Sequence, residues 1–221
     1  MAANVNTRAT RADDPAAPGR LEMSVEEFKR WYDREAGRRG EWVDGEVIVF
    51  LAPKTIHQQI SAFLTVVLSM YVGERGMGQI LPGPEMRLRN DQSYREPDLL
   101  FIATENLGRL DADGLKGPAD LVIEIVSDDS VRRDRQDKHD EYEVAGVPEY
   151  WVIDPRPLRR TFDAYALSQA GEYAEIAPDG LGRVHSRVIP GLWVDPAWLW
   201  SEPIQSAPAA LKLIAAAEEP S

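Results

Sequence analysis

The chain has 221 residues, no cysteine and a formal net charge of −12. Its length suits one sizeable core or two small ones, with one domain and tails expected, and 43% hydrophobic residues with 6 Trp, 7 Tyr and 5 Phe belong to an ordinary globular protein rather than a disordered or fibrous one. The lack of cysteine removes disulfides, thiolate nucleophiles and Cys-ligated metal sites, and the acidic balance argues against a simple binder of nucleic acid or anionic membrane.

Residues 1–20 hold almost no large apolar side chain and are expected to be a disordered N-terminal tail. They also lack the apolar core of a secretory signal, and the apolar run from Ile60 to Val72 is too short for a bilayer, so a cytoplasmic protein without a membrane segment is expected. Ser24 and Glu27 stand at capping-box spacing ahead of Val25, Phe28, Trp31 and Tyr32, which share one helical face. Residues 41–51 read as a hairpin turning at Asp44-Gly45.

Apolar residues at positions 60, 63, 64, 67, 68 and 71 predict an amphipathic helix over residues 57–72. Strand pieces follow at 79–81, 85–89 and 97–103, and 106–118 is expected as a loop. The run Leu121 to Val126 is apolar on both faces except for Glu124, the mark of a strand covered on both sides. A helix over 129–145 and a strand over 149–154 complete a strand, helix, strand unit, which demands a parallel pair. Shorter strands are expected around 161–166, 173–176 and 183–188, and 201–221 as a flexible Ala-rich C-terminal tail or loose helix. A single domain is thus expected over 21–200.

Three residues stand out chemically: Asp98 behind Pro97 at a strand start, Glu124 inside an apolar strand, and Lys138 on the helix after it. Each has a structural reading as well, as a turn residue, one half of a buried ion pair, and a solvated helix residue. Burying an ionised Glu124 among Val122, Ile123, Ile125 and Val126 costs several kcal/mol unless a cation or strong donors compensate. A divalent metal held by two carboxylates from neighbouring strands is one such compensator. Lys138 shares a helix face with Asp134 and Tyr142, at i−4 and i+4, and is one of five lysines against twenty arginines. Residues 120–150 contain ten acids and four bases, a window that attracts cations.

The ordered set Pro97-Asp98, Glu124-Ile125-Val126-Ser127, Asp134 to Lys138 to Tyr142 and Gly146-Val147-Pro148-Glu149-Tyr150-Trp151 resembles the Uma2 family of putative restriction endonucleases, within the PD-(D/E)XK nuclease superfamily. Glu41, Asp44-Gly45 and His57 resemble its upstream segments. The resemblance implies an α/β restriction-endonuclease-like core: a mixed β-sheet flanked by helices, with extra C-terminal antiparallel strands. By the same resemblance Asp98 and Glu124 would bind Mg²⁺, or Mn²⁺ in its place, and Lys138 would assist the attacking water, while Glu41 and His57 are further site candidates. Val126 occupies the superfamily's usual lysine position, so the lysine would have moved to the helix.

The implied reaction is metal-assisted phosphodiester hydrolysis with DNA as substrate. Arg132, Arg133 and Arg135, or Arg30, Arg34, Arg38 and Arg39, could contact phosphates or simply be solvated. Two other readings stay open: a non-catalytic or partner-dependent interaction module that keeps the fold, which the acidic core favours, and a hydrolase of a small phosphate ester. A homodimer is also left open.

Overall fold

The computed structural model describes residues 20–34, 40–50, 52–89 and 92–218. The tail expected over 1–20 falls almost wholly outside these residues, as do Arg38 and Arg39. Backbone contacts divide the chain into two units, one ending at Ala52 and one beginning at Pro53, where a single domain over 21–200 was expected.

In the first unit, β1 (Arg20–Glu22) pairs with β3 (Glu46–Val49), which forms a hairpin with β2 (Gly40–Val43). The turn has φ of 49° at Asp44 and 92° at Gly45, the two positive values that an Asp-Gly hairpin supplies. Helix α1 (Val25–Arg34) opens with the expected capping box: Ser24 N–H donates to Glu27 Oε2 at 2.9 Å, and Glu27 N–H to Ser24 Oγ at 3.3 Å. Phe28 is buried between the rings of Trp31 and Tyr32, and Trp42 Nε1 donates to the Met23 carbonyl at 2.8 Å.

The second unit is organised around a sheet in the order β13-β12-β11-β10-β7-β4. Its strands are β4 (Gly78–Pro82), β7 (Leu99–Ala103), β10 (Leu121–Ile125), β11 (Glu149–Asp154), β12 (Thr161–Leu167) and β13 (Tyr173–Glu175). β10 and β11 are parallel, as the intervening helix requires, and the other neighbours are antiparallel. The sheet is therefore mixed, with antiparallel strands added at its C-terminal side. A second group of short strands runs β6-β5-β9-β8: β5 (Met86–Leu88), β6 (Ser93–Arg95), β8 (Leu110–Asp111) and β9 (Gly114–Lys116).

Alternation along the strands divides the core. Leu121, Ile123 and Ile125 join Leu99, Phe101, Trp151 and Ile153 in one cluster with Ile60, Leu64, Leu68 and Tyr71 of α2 (Thr55–Glu74). Val122 and Val126 join Leu100, Ile102, Tyr150 and Val152 in the other, where Tyr142 packs from α3 (Lys138–Ala145). Glu124 has the parity of this second face.

Two expectations are corrected. The stretch read as a loop over 106–118 carries a 3₁₀ turn (Thr104–Arg109) and the strands β8 and β9, which are too short for alternation to betray them. Residues 201–221, read as a flexible tail or loose helix, carry α5 (Ala207–Glu218), whose Ala210 and Ile214, one turn apart, are fully buried in the α2 core; a short helix, α4 (Ala197–Trp200), comes just before. Small alanines allow that close helix packing even though they carry little sequence signal. Among the described residues no helix is long and apolar enough to cross a membrane.

Gly78 opens β4 with φ of 151°, and a Cβ there would stand 2.1 Å from the Ile102 carbonyl oxygen on β7. Gly78→Ala is expected to destabilise the protein by about 2 kcal/mol or more, read as a shift in the urea unfolding midpoint at constant slope.

Candidate active site

The strand register brings the two acids together. Ile123 pairs with Leu99 across β10 and β7, so the next step toward the C-terminal end of β10 sets Glu124 opposite Asp98. Asp98 precedes β7 because Pro97 cannot donate to the ladder. Its side chain takes the place of a ladder acceptor: Ile125 N–H donates to Asp98 Oδ2 at 2.7 Å. His57, in the first turn of α2, brings Nε2 to 3.1 Å from the same oxygen. A carboxylate only accepts, so Nε2 carries the proton of that bond, and Nδ1 is buried with no partner among the described residues.

Glu124 and Lys138 form a buried ion pair, Nζ to Oε1 2.7 Å, with side chains 3% and 2% exposed. Tyr142 donates its hydroxyl to the same Glu124 oxygen at 3.0 Å. Glu124 therefore has a counter-ion and a donor from the chain itself. Asp134 completes the group, its Oδ1 3.7 Å from Lys138 Nζ. Burial pushes the Asp134 carboxyl above its usual range, and the nearby negative charge of Asp98 adds to this, against the opposing effects of Lys138, Arg133 and the Ser130 hydroxyl.

The helix carrying these residues differs from the expected continuous α-helix over 129–145. A π turn, Arg133–Asp137, precedes α3. It sends Lys138 N–H back five residues to the Arg133 carbonyl, leaving the Asp134 carbonyl to accept from Tyr150 Oη at 2.7 Å. Tyr150 lies on β11, so the turn is fastened to the sheet beside β10. Arg95 of β6 donates Nε to Glu141 at 2.7 Å and fixes the next part of α3. Gly146, at φ of 80°, ends the helix in the left-handed conformation.

Asp98, Glu124, Lys138 and His57 are thus brought together at one end of the central sheet, with Asp134 and Tyr142 joining them. The i, i+4, i+8 spacing of Asp134, Lys138 and Tyr142 was the sequence signal for the last two. Glu41 lies in β2 of the first unit, fully buried. Glu149, in the same motif as Tyr150, is a structural clamp. Its Oε1 accepts from Trp151 Nε1 at 2.6 Å, and its Oε2 accepts from the backbone N–H groups of Arg187 at 2.7 Å and Val188 at 2.9 Å.

Of the arginines considered for phosphate, Arg133 faces Asp134 at 3.8 Å, and Arg135 is paired with Asp163 at 2.8 Å. Arg132 is exposed beside Asp137, and Arg30 donates to the Glu26 carbonyl at 3.1 Å.

Among the described residues no group of three or more His, Asp or Glu side chains is arranged to hold a metal ion. The donor chemistry suits a hard cation that keeps most of its water: Asp98 is 16% exposed, and its Oδ1 accepts no hydrogen bond from the described residues.

The family model Uma2, described as "Putative restriction endonuclease", matches residues 25–197. A solved structure described as a "putative nuclease belonging to DUF820" from Anabaena variabilis ATCC 29413 superposes with a TM-score of 0.65. It is 19% identical, over 80% of this chain and 97% of that one, a likeness that shows the fold. No curated protein matches the chain.

Removing one partner of a buried pair strands the other. Glu124→Gln is therefore expected to lower stability by about 3–5 kcal/mol in chemical denaturation, and Glu124→Gln with Lys138→Met to recover most of that loss. Asp134 gives a pH test. Its native carboxyl titrates above the ordinary 3.8, so the stability it contributes is full below that value and lost as pH rises through the native one. Asp134→Asn should accordingly gain in melting temperature relative to wild type as pH is raised from below 4 toward neutrality.

Proposed function

Because the chain belongs to the Uma2 family, we propose that it is a Mg²⁺-dependent endonuclease that hydrolyses phosphodiester bonds in DNA. The observation that carries the reading is the convergence of Asp98, just before β7, with Glu124 of β10 and Lys138 of α3 on one end of the sheet. Asp98 and Glu124 would hold the ion. A divalent cation held there supplies positive charge to a phosphoryl oxygen and acidifies the attacking water.

The chain's own residues do the positioning. Ile125 N–H and His57 hold Asp98 Oδ2, which leaves Oδ1 without a hydrogen bond among the described residues. Lys138 Nζ, held between Glu124 and Asp134, directs an N–H donor toward the reacting phosphate or its water and stabilises the charge that grows in the transition state. Tyr142 keeps Glu124 Oε1 in place when the lysine turns to substrate. Residues 98, 124 and 138 belong to the second unit, which also carries their supports, and the reading includes a cytoplasmic location.

Plasmid cleavage with Mg²⁺ or Mn²⁺ tests this. Asp98→Ala should abolish cleavage. Lys138→Ala, with folding verified by circular dichroism, should cut the rate by about two to four orders of magnitude while leaving metal affinity by calorimetry nearly intact. Lys138→Arg should rescue poorly, because a guanidinium stays protonated and offers different donor geometry. Metal binding without cleavage of any DNA would favour the interaction module, and hydrolysis of a simple aryl phosphate in its place the small-ester hydrolase.

A further inference from the structure

The arginines flanking the site helix are largely committed to acidic partners, so phosphate contacts must come from elsewhere. The connection from β11 to β12, Pro155-Arg156-Pro157-Leu158-Arg159-Arg160, holds three arginines and no acid in a chain of net charge −12. We infer that this loop is a prong that grips the sugar-phosphate backbone of duplex DNA and sets it across the candidate active site, an inference that rests on the nuclease reading above.

Its position follows from the register. Glu124 pairs with Val152 and Ile125 with Ile153 in the parallel ladder, and Val126 N–H donates to the Ile153 carbonyl at 2.8 Å. β11 therefore runs out at Asp154 on the same end of the sheet where Asp98 meets Ile125. Two strand spacings, about 10 Å, separate the path of β7 from that of β11.

The loop is built to hold its shape. Arg156 caps its base, donating Nε at 2.9 Å to Asp154 Oδ1 and Nη2 at 2.8 Å to Oδ2. Arg135, from the π turn that precedes Lys138, donates to Thr161 Oγ1 at 2.6 Å and to Asp163 Oδ2 at 2.8 Å, and so ties the first residues of β12 to the site helix. Arg159 N–H closes a tight turn on the Arg156 carbonyl at 3.0 Å, and two prolines restrict the chain further. At the tip Leu158 has φ of 68° and is fully exposed. A branched apolar side chain in left-handed backbone, with nothing to bury against, is strained and solvated at once, and such outliers persist where the surface has a use.

Arg156 is occupied, but Arg159 and Arg160 are exposed and their guanidinium groups have no hydrogen bond or ion pair among the described residues. They are free to fork onto phosphate oxygens, and the rigid base reduces the ordering entropy lost when they do. Leu158 beside them suits apolar contact with a deoxyribose or a groove edge. Charge complementarity selects the partner: a polyanion is the one ligand for which an unpaired arginine pair on an acidic protein is an advantage.

The test is fluorescence anisotropy with a labelled duplex in EDTA, where no cleavage occurs, over a series of salt concentrations. The double variant Arg159→Ala with Arg160→Ala should melt as wild type does, since neither side chain is engaged in the fold. It should bind about 10-fold more weakly at low salt, and its slope of log affinity against log salt should be shallower by about 2, as for two lost phosphate contacts. Equal affinity and slope for the two proteins would overturn the prong and leave the nuclease reading standing. No duplex binding by wild type at low salt would overturn both.

Discussion

The buried pair of Lys138 and Glu124 is the interaction on which the rest of the second unit's arrangement turns. Withdrawing two charges from water costs several kcal/mol each, and the loss is offset only when geometry is good and remaining donors and acceptors are satisfied. The surroundings meet that demand. Tyr142 adds a donor to Glu124, Asp134 stands near the ammonium, and the π turn puts Lys138 where Nζ reaches the strand. An apolar pair of the same volume would hold α3 to the sheet at least as well. The charges are therefore not required to hold α3 to the sheet, and the proposed function gives them a use at this end of it.

The Gly146 to Trp151 motif shows how a site of this kind is carried by groups that take no part in it. Gly146 releases the helix, Tyr150 hooks the π turn, Trp151 fills the opposite face of the sheet, and Glu149 gathers the backbone around Arg187 and Val188. Successive strand residues point to opposite faces, so one short segment secures both the helix that bears Lys138 and the C-terminal connection.

The elements with a strong local signal were legible in advance: the Ser24 and Glu27 capping box, the Asp44-Gly45 hairpin, the long α2, and the parallel β10 and β11 on either side of a helix. Asp98, Glu124 and Lys138 were singled out together, because a carboxylate inside LVIEIV needs a compensating cation, read as a metal, and because their order along the chain resembles the family's motif set. The π turn was not, since an inserted residue leaves the side-chain spacing of 134, 138 and 142 unchanged in the sequence. Short β8 and β9 have too few residues for a period to show, and the packing of α5 rests on alanines that suit many conformations. Lys138 as counter-ion was visible only in three dimensions: sequence reasoning left Glu124 in need of a cation, and the structure supplies one.

The acidic balance remains to be squared with a polyanionic substrate, and the window of densest charge does so. Within residues 120–150, Asp120 accepts from Ala103 N–H and Asn106, Asp128 is paired with Lys54, Asp137 with Arg132, and Glu141 with Arg89 and Arg95. Glu143 accepts from Tyr173 N–H, and Glu124 and Glu149 are buried with their partners. Where these carboxylates face a lysine or arginine the pair is a short-range dipole, and at physiological salt the field of the remaining charge decays within about 8 Å. What a duplex would meet at contact distance is set by the groups left unpaired near the site end of the sheet, and Arg159 and Arg160 are such a pair. The net charge then governs how fast the encounter occurs and how steeply it falls with salt, while the local arrangement of side chains decides where the backbone settles.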